Sequence, residues 1–169
     1  MKLTEDLEKA FNNQITLEFE ASMVYRQLAI EMDTRDLPGM ASWLRHQADE
    51  EIVHANKFIA HLDNRGNHPV IGNIPAPTVT ADSALSVFQA AAAHEERVSE
   101  AIRDLYRTCE EAGDLDARPL LNWFLGEQIE EEATVTEIVA RIAMTGNDGP
   151  GLLRLDSELG ARPTGTTEN

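Results

Sequence analysis

The sequence predicts an all-α fold, a four-helix bundle with one long crossover between helices 2 and 3 and a short C-terminal fifth helix. Three observations predict it. Apolar residues recur at intervals of three and four along four separate stretches, the spacing that lines one face of a helix. Each stretch is about 28 residues long, so each helix is about 42 Å long. Between the second and third, residues 66–81 (GNHPVIGNIPAPTVTA) carry three prolines and two glycines, which forbid a helix.

The elements follow in order. Helix 1 is expected over residues 4–33, with Thr4 as its cap and Glu5 and Asp6 suited to its positive end. Residues 34–37 make a short turn, and Pro38 then suits the first position of helix 2, which should run to about residue 65 and stop at Gly66-Asn67. A short turn between long helices makes them antiparallel neighbours. Extended chain covers about 3.3 Å per residue, so segment 66–81 spans about 50 Å and can travel the length of the bundle. Helices 2 and 3 then start at the same end and lie parallel. Helix 3 is expected over 82–112, capped by Asp82 or Ser83 and stopped by Gly113. Helix 4 should run over 119–144 and end at Gly146, and an amphipathic fifth helix should occupy 151–159. The whole reads as one domain, residues 1–160, with a disordered tail, residues 161–169 (ARPTGTTEN).

Composition narrows the function. Thirty acidic residues against 14 basic ones give a formal charge of −16. That excludes a nucleic-acid partner, which needs a basic footprint, and favours one that concentrates cations. No apolar run approaches the length of a membrane span. The opening MKLTEDLEKAF is acidic and amphipathic, unlike a signal peptide. The single cysteine, Cys109, cannot form an internal disulfide or a multi-cysteine metal site, and a cytoplasmic location is expected.

Each apolar stripe is broken near its midpoint by a polar, metal-binding side chain. The series Phe11, Ile15, Glu18, Ser22, Tyr25 is one; Leu44, Ala48, Glu51, Ala55, Phe58 is the second. The third is Phe88, Ala91, Glu95, Val98, Ile102, and the fourth is Leu121, Phe124, Gln128, Glu131, Val135. A carboxylate on a core-facing position costs several kcal/mol unless something compensates it. Four at matching heights point to a shared compensation, a multivalent cation in the bundle centre. Residues three apart on a helix diverge by about 60°, so Glu51 and His54 can grip one ion, as can Gln128 and Glu131. Glu18 and Glu95 add one carboxylate each. Oxygen and nitrogen donors without thiolate suit iron, manganese or zinc.

At these residues the chain resembles the bacterial non-haem ferritins, over about residues 5–159. The segments that carry the resemblance are LEFEASMVY (17–25), ADEEIVHA (48–55), HEERV (94–98) and NWFLGEQIEEEA (122–133). The resemblance implies a ferritin-like fold and a di-iron centre. Glu18, Glu51 and His54 would form the first iron site, with Glu51 bridging; Glu51, Glu95, Gln128 and Glu131 would form the second. Glu50, Glu127 and Glu130 would hold a third, outlying iron, and Tyr25 would stand beside the centre. It implies a ferroxidase and iron store: Fe(II) is oxidised with dioxygen or peroxide, and Fe(III) collects as an oxo-hydroxide mineral inside a homo-oligomeric cage of 24 subunits. A small di-iron peroxidase or oxidase without storage is the alternative on the same bundle. No haem is expected, because Ile52 and Glu131 stand where the haem-bearing relatives place their methionine and final histidine ligands. Gln128, a neutral and weaker ligand, should make the second site release iron more readily.

Among the other candidates, His61 lies about 10.5 Å along the helix from His54, too far to share an ion with it. His94 is rotated about 100° from Glu95 and should face away from the centre. Tyr25 and Trp123 should pack near the centre, Cys109 should be a small core residue, and Asp114 and Asp116 fit either a pore or a solvated turn.

Overall fold

A computed structural model describes residues 1–79 and 81–162. Helix α1 spans Glu5–Asp33, α2 Pro38–Asn64, α3 Ala84–Glu111, α4 Arg118–Thr145 and α5 Gly149–Gly160, with a 3-10 turn at Leu115–Ala117 before α4. No strand occurs among the described residues.

The ends follow local chemistry. Thr4 Oγ1 accepts from the Leu7 amide at 3.4 Å, satisfying one of the free donors that start α1. Ser83 and Ser86 cap the start of α3 reciprocally. Pro38 opens α2, and one of that helix's buried first-turn amides finds an acceptor from afar: Asp156 Oδ1 of α5 takes the Met40 N–H at 2.7 Å. Gly113 follows α3 with φ 70°, a left-handed turn that a side chain would resist.

α1 packs against α2 and α3 against α4, while α1 also meets α3 and α5 lies on α2. The crossover runs alongside α1. Val70 N–H donates to Asn12 Oδ1 at 2.9 Å, Gly72 N–H donates to Thr16 Oγ1 at 2.8 Å, and Arg35 donates to the Ala81 carbonyl at 2.6 Å. These contacts advance from the start of α1 to its end, so the crossover carries the chain back up the bundle and α3 starts level with α2. The helices are parallel, as the sequence requires.

The apolar core forms two clusters. One holds Leu28, Met32, Met40, Leu44, Phe88 and Ile138 beneath α5; the other holds Phe11, Ile15, Phe58, Ile102 and Phe124. In the second cluster Phe58 stacks on Phe124 with ring centroids 4.1 Å apart. Buried polar residues occupy the level between them. The tail begins differently from expectation: Ala161 and Arg162 are described and Arg162 is engaged, while residues 163–169 lie outside the described residues.

Candidate metal centre

Glu18 comes from the middle of α1, Glu51 and His54 from α2, Glu95 from α3, and Gln128 and Glu131 from α4. All six are buried: five sit on the stripe their helix turns inward, and His54 lies beside that stripe, one position before Ala55. Glu18, Glu51 and His54 each offer a ligating atom within 4.8 Å of the other two. Among the described residues, no other three His, Cys, Asp or Glu side chains gather in this way. His54 Nδ1 lies 3.2 Å from Glu51 Oε2, the contact their three-residue spacing allows. The His54 ring is held edge-on by Phe124 at 5.5 Å and Trp123 at 5.7 Å.

The other side of the centre is tied by hydrogen bonds. The Tyr25 hydroxyl donates to Glu95 Oε1. Gln128 Nε2 donates to Glu95 Oε2 and to Ser99 Oγ, both at 3.1 Å. Gln47 Nε2 donates to Glu131 Oε2 at 2.7 Å, and Gln14 Nε2 donates to Glu18 Oε1 at 2.7 Å. Glu18 Oε2 is buried with no hydrogen-bond partner at all. An unpartnered carboxylate oxygen in a dry interior is costly, and it faces two other ligating groups.

Electrostatics carry the same strain. Burial pushes the Glu18 carboxyl well above the usual carboxylate range, and the neighbouring Glu51 adds to the shift. Burial also raises Glu51 and Glu95. Glu131 is pushed up to about 9, first by burial and then by Glu95, Glu51 and Glu50. Burial and the nearby Glu95 hold the Tyr25 phenol well above its ordinary value. The chain has crowded carboxylates where bare protein cannot keep them ionised, and a cation would relieve that crowding.

The three outlying acids are placed differently. Glu50 is engaged by Arg162, whose guanidinium donates to both carboxylate oxygens at 2.9 Å. Glu127 is half-buried, Glu130 is exposed, and the three do not gather as a close group. His94 lies outside the centre, as its rotation requires, yet it is buried and its Nε2 has no partner. His61 stacks on Phe11 at 5.1 Å, Cys109 is a buried core residue, and Asp114 is held by both terminal nitrogens of Arg65 at 2.6 and 2.7 Å.

Gln14, Gln47 and Ser99 did not stand out from the sequence as partners of the centre. A signal existed, since each lies four residues from an inward carboxylate of its own helix. Arg162 gave none.

The family model of the ferritin-like domain matches residues 8–145. A probable bacterial non-heme ferritin-like protein of Haemophilus influenzae is 33% identical over 158 residues, covering 94% of this chain and 96% of its own. The bacterial non-heme ferritin of Staphylococcus haemolyticus is 32% identical over 160 residues, covering 95% and 96%. Among solved structures, an open-pore ferritin from the hyperthermophilic archaeon Archaeoglobus fulgidus superposes with a TM-score of 0.93 at 31% identity, covering 96% of this chain and 100% of that one.

Proposed function

The chain belongs to the ferritin family, and on that premise we propose that it oxidises Fe(II) at the buried centre and stores Fe(III) as an oxo-hydroxide mineral inside a cytoplasmic shell of 24 copies. The observation that carries this reading is the convergence of Glu18, Glu51 and His54, with one Glu18 oxygen unpartnered. The donor set fits iron: carboxylate and imidazole groups, no thiolate, and a surrounding layer of amide and hydroxyl groups that fixes ligand orientation.

Each residue has a part. Glu18 and His54 hold a first Fe(II). Glu95, Gln128 and Glu131 hold a second, and Glu51 lies in the field of both Glu18 and Glu95, where it can serve both ions. Binding displaces the protons that burial keeps on these carboxyls. Tyr25 stays protonated and holds Glu95 by its hydroxyl. Each Fe(II) gives one electron, so a pair meets the two-electron need of dioxygen going to peroxide, or of peroxide going to water. Glu50, Glu127 and Glu130, which do not gather as a close group, would be the place for an outlying third iron only where Arg162 gives up Glu50.

The test is anaerobic Fe(II) titration of the purified particle followed by an oxygen pulse, comparing parent with Glu51→Ala. The variant should lose rapid oxidation while keeping a particle near 24 times the 18.7 kDa chain. Equal oxidation by both proteins would overturn the assigned centre. Oxidation without retained iron would favour a di-iron oxidase or peroxidase.

A further inference from the structure

We propose that Arg162 is a built-in counter-cation of the centre: its guanidinium takes the place at Glu50 that a further metal ion would otherwise take, and through Gln47 it positions Glu131. This rests on the reading of the centre as an iron site. The contacts form one chain. Arg162 donates to both Glu50 oxygens at 2.9 Å and to Gln47 Oε1. Gln47 then donates from Nε2 to Glu131 at 2.7 Å. Arg162 also lies over the Trp43 ring, 5.5 Å from its centroid.

The position of Arg162 is set by the docking of α5. Asp156 caps the start of α2 through Met40, and Gly160 abuts Gly39 so closely that a Cβ on Gly160 would lie 2.8 Å from the Gly39 Cα. Two residues beyond that contact, the side chain follows the α2 face that carries Trp43, Gln47 and Glu50. One guanidinium nitrogen, Nη2, bridges both Glu50 oxygens while Nη1 serves Gln47, so the cation competes directly with a metal ion for the same carboxylate. Glu50 stands next to the ligand Glu51 and within the field of Glu131. Its neutralisation by Arg162 therefore limits the negative charge presented to incoming cations at that corner. Arg162, two residues beyond α5, thus sets how many ions the centre takes.

The experiment is calorimetric titration of the metal-free, full-length particle with zinc(II), which is redox-silent. Arg162→Ala should bind one more zinc ion per chain than the parent, and the double variant Arg162→Ala/Glu50→Gln should return to the parent count. Arg162→Gln keeps the bulk over Trp43 and should behave as Arg162→Ala does. Gln47→Ala should add no ion but lower the affinity of the Glu131 side by roughly 10–100-fold, the usual cost of losing an orienting partner. A count unchanged on removing Arg162, or an extra ion that survives the loss of Glu50, overturns the counter-cation role; unchanged affinity in Gln47→Ala overturns the positioning role. Failure of the iron-site reading would look different: the parent's own zinc ions would then persist in Glu51→Ala.

Discussion

Glu131→Gln should stabilise the metal-free protein, and the gain should grow with pH. In the folded chain Glu131 titrates at about 9 rather than at its ordinary 4.5, because it is buried and faces Glu95, Glu51 and Glu50. Below pH 4.5 the carboxyl is protonated in both folded and unfolded chains, so the stability linked to that proton is fully present. Between 4.5 and 9 the folded chain keeps a proton that the unfolded chain has released, and stability falls as pH rises. Each unit is worth about 1.4 kcal/mol, so at pH 7 the loss is about 3 kcal/mol. Glutamine has the same shape, carries no charge, and its Oε1 can accept from Gln47 Nε2 as the carboxylate does now. The substitution therefore removes the loss without opening a cavity.

Thermal unfolding in chelator at pH 4.5 and pH 7, at equal chain concentration, reads the effect. For a chain of this size 1 kcal/mol moves Tm by about 2–4 °C, so a gain of about 6–12 °C is expected at pH 7 and none at pH 4.5. Adding Fe(II) anaerobically should reverse the order, since the parent gains more from binding than the variant does. A variant that melts below the parent at pH 7, or one whose gain is the same at both pH values, would refute the reasoning.

Two more perturbations have clear signs. His94 is buried and titrates at about 4, lowered from 6.5 first by burial and then by Arg97, so the stability present above 6.5 is lost as pH falls through 4. His94→Leu should remove that acid limb, outlasting the parent at pH 4 by up to about 3 kcal/mol in chemical unfolding; an equally steep acid loss in the variant would sink this account. Gly39→Ala would place a Cβ 1.8 Å from the Asp156 carbonyl oxygen, a backbone atom that cannot step aside. It should dislodge α5 at a cost of about 1–3 kcal/mol, seen as faster amide exchange over residues 149–160 with the four long helices still protected; unchanged protection of α5 would count against the packing argument.

The fold was legible because its signals are local. The inward stripes, the Thr4 and Ser83 caps, Pro38 and the glycine stops fix the long helices to within a residue or two, and the proline-rich crossover fixes their directions. α5 is longer than the sequence reading, Gly149–Gly160 against 151–159, because Pro150 sits without penalty in a first turn, where no backbone N–H is required. At the centre, Glu18 and Glu51 announce themselves as polar interruptions of an apolar stripe, and His54 as the imidazole three residues beyond Glu51. Arg162 could not: its partners on α2 are set by how α5 docks, a contact over 112 residues in sequence. Burial of His94 escaped for a related reason. Rotation away from one packed face says nothing of whether another element covers the new one.

Charge balance explains why the centre has this make-up. Glu18, Glu51, Glu95 and Glu131 carry four negative charges when ionised, and His54 and Gln128 add donors without charge. Two divalent ions cancel four carboxylates, so an Fe(II) pair would leave the dry interior neutral, the state that low dielectric favours. Without metal, the same interior holds protons on those carboxyls, which is why burial raises their titration points. On the proposed ferroxidase reading, oxidation to two Fe(III) would leave two positive charges in excess unless water-derived hydroxide or departure of the ions removed them. A glutamate at position 128 would add a fifth negative charge, over-neutralising the Fe(II) pair and holding the Fe(III) pair more tightly. On that reading glutamine would weaken the grip on product at the corner where Glu95 and Ser99 already occupy its amide nitrogen.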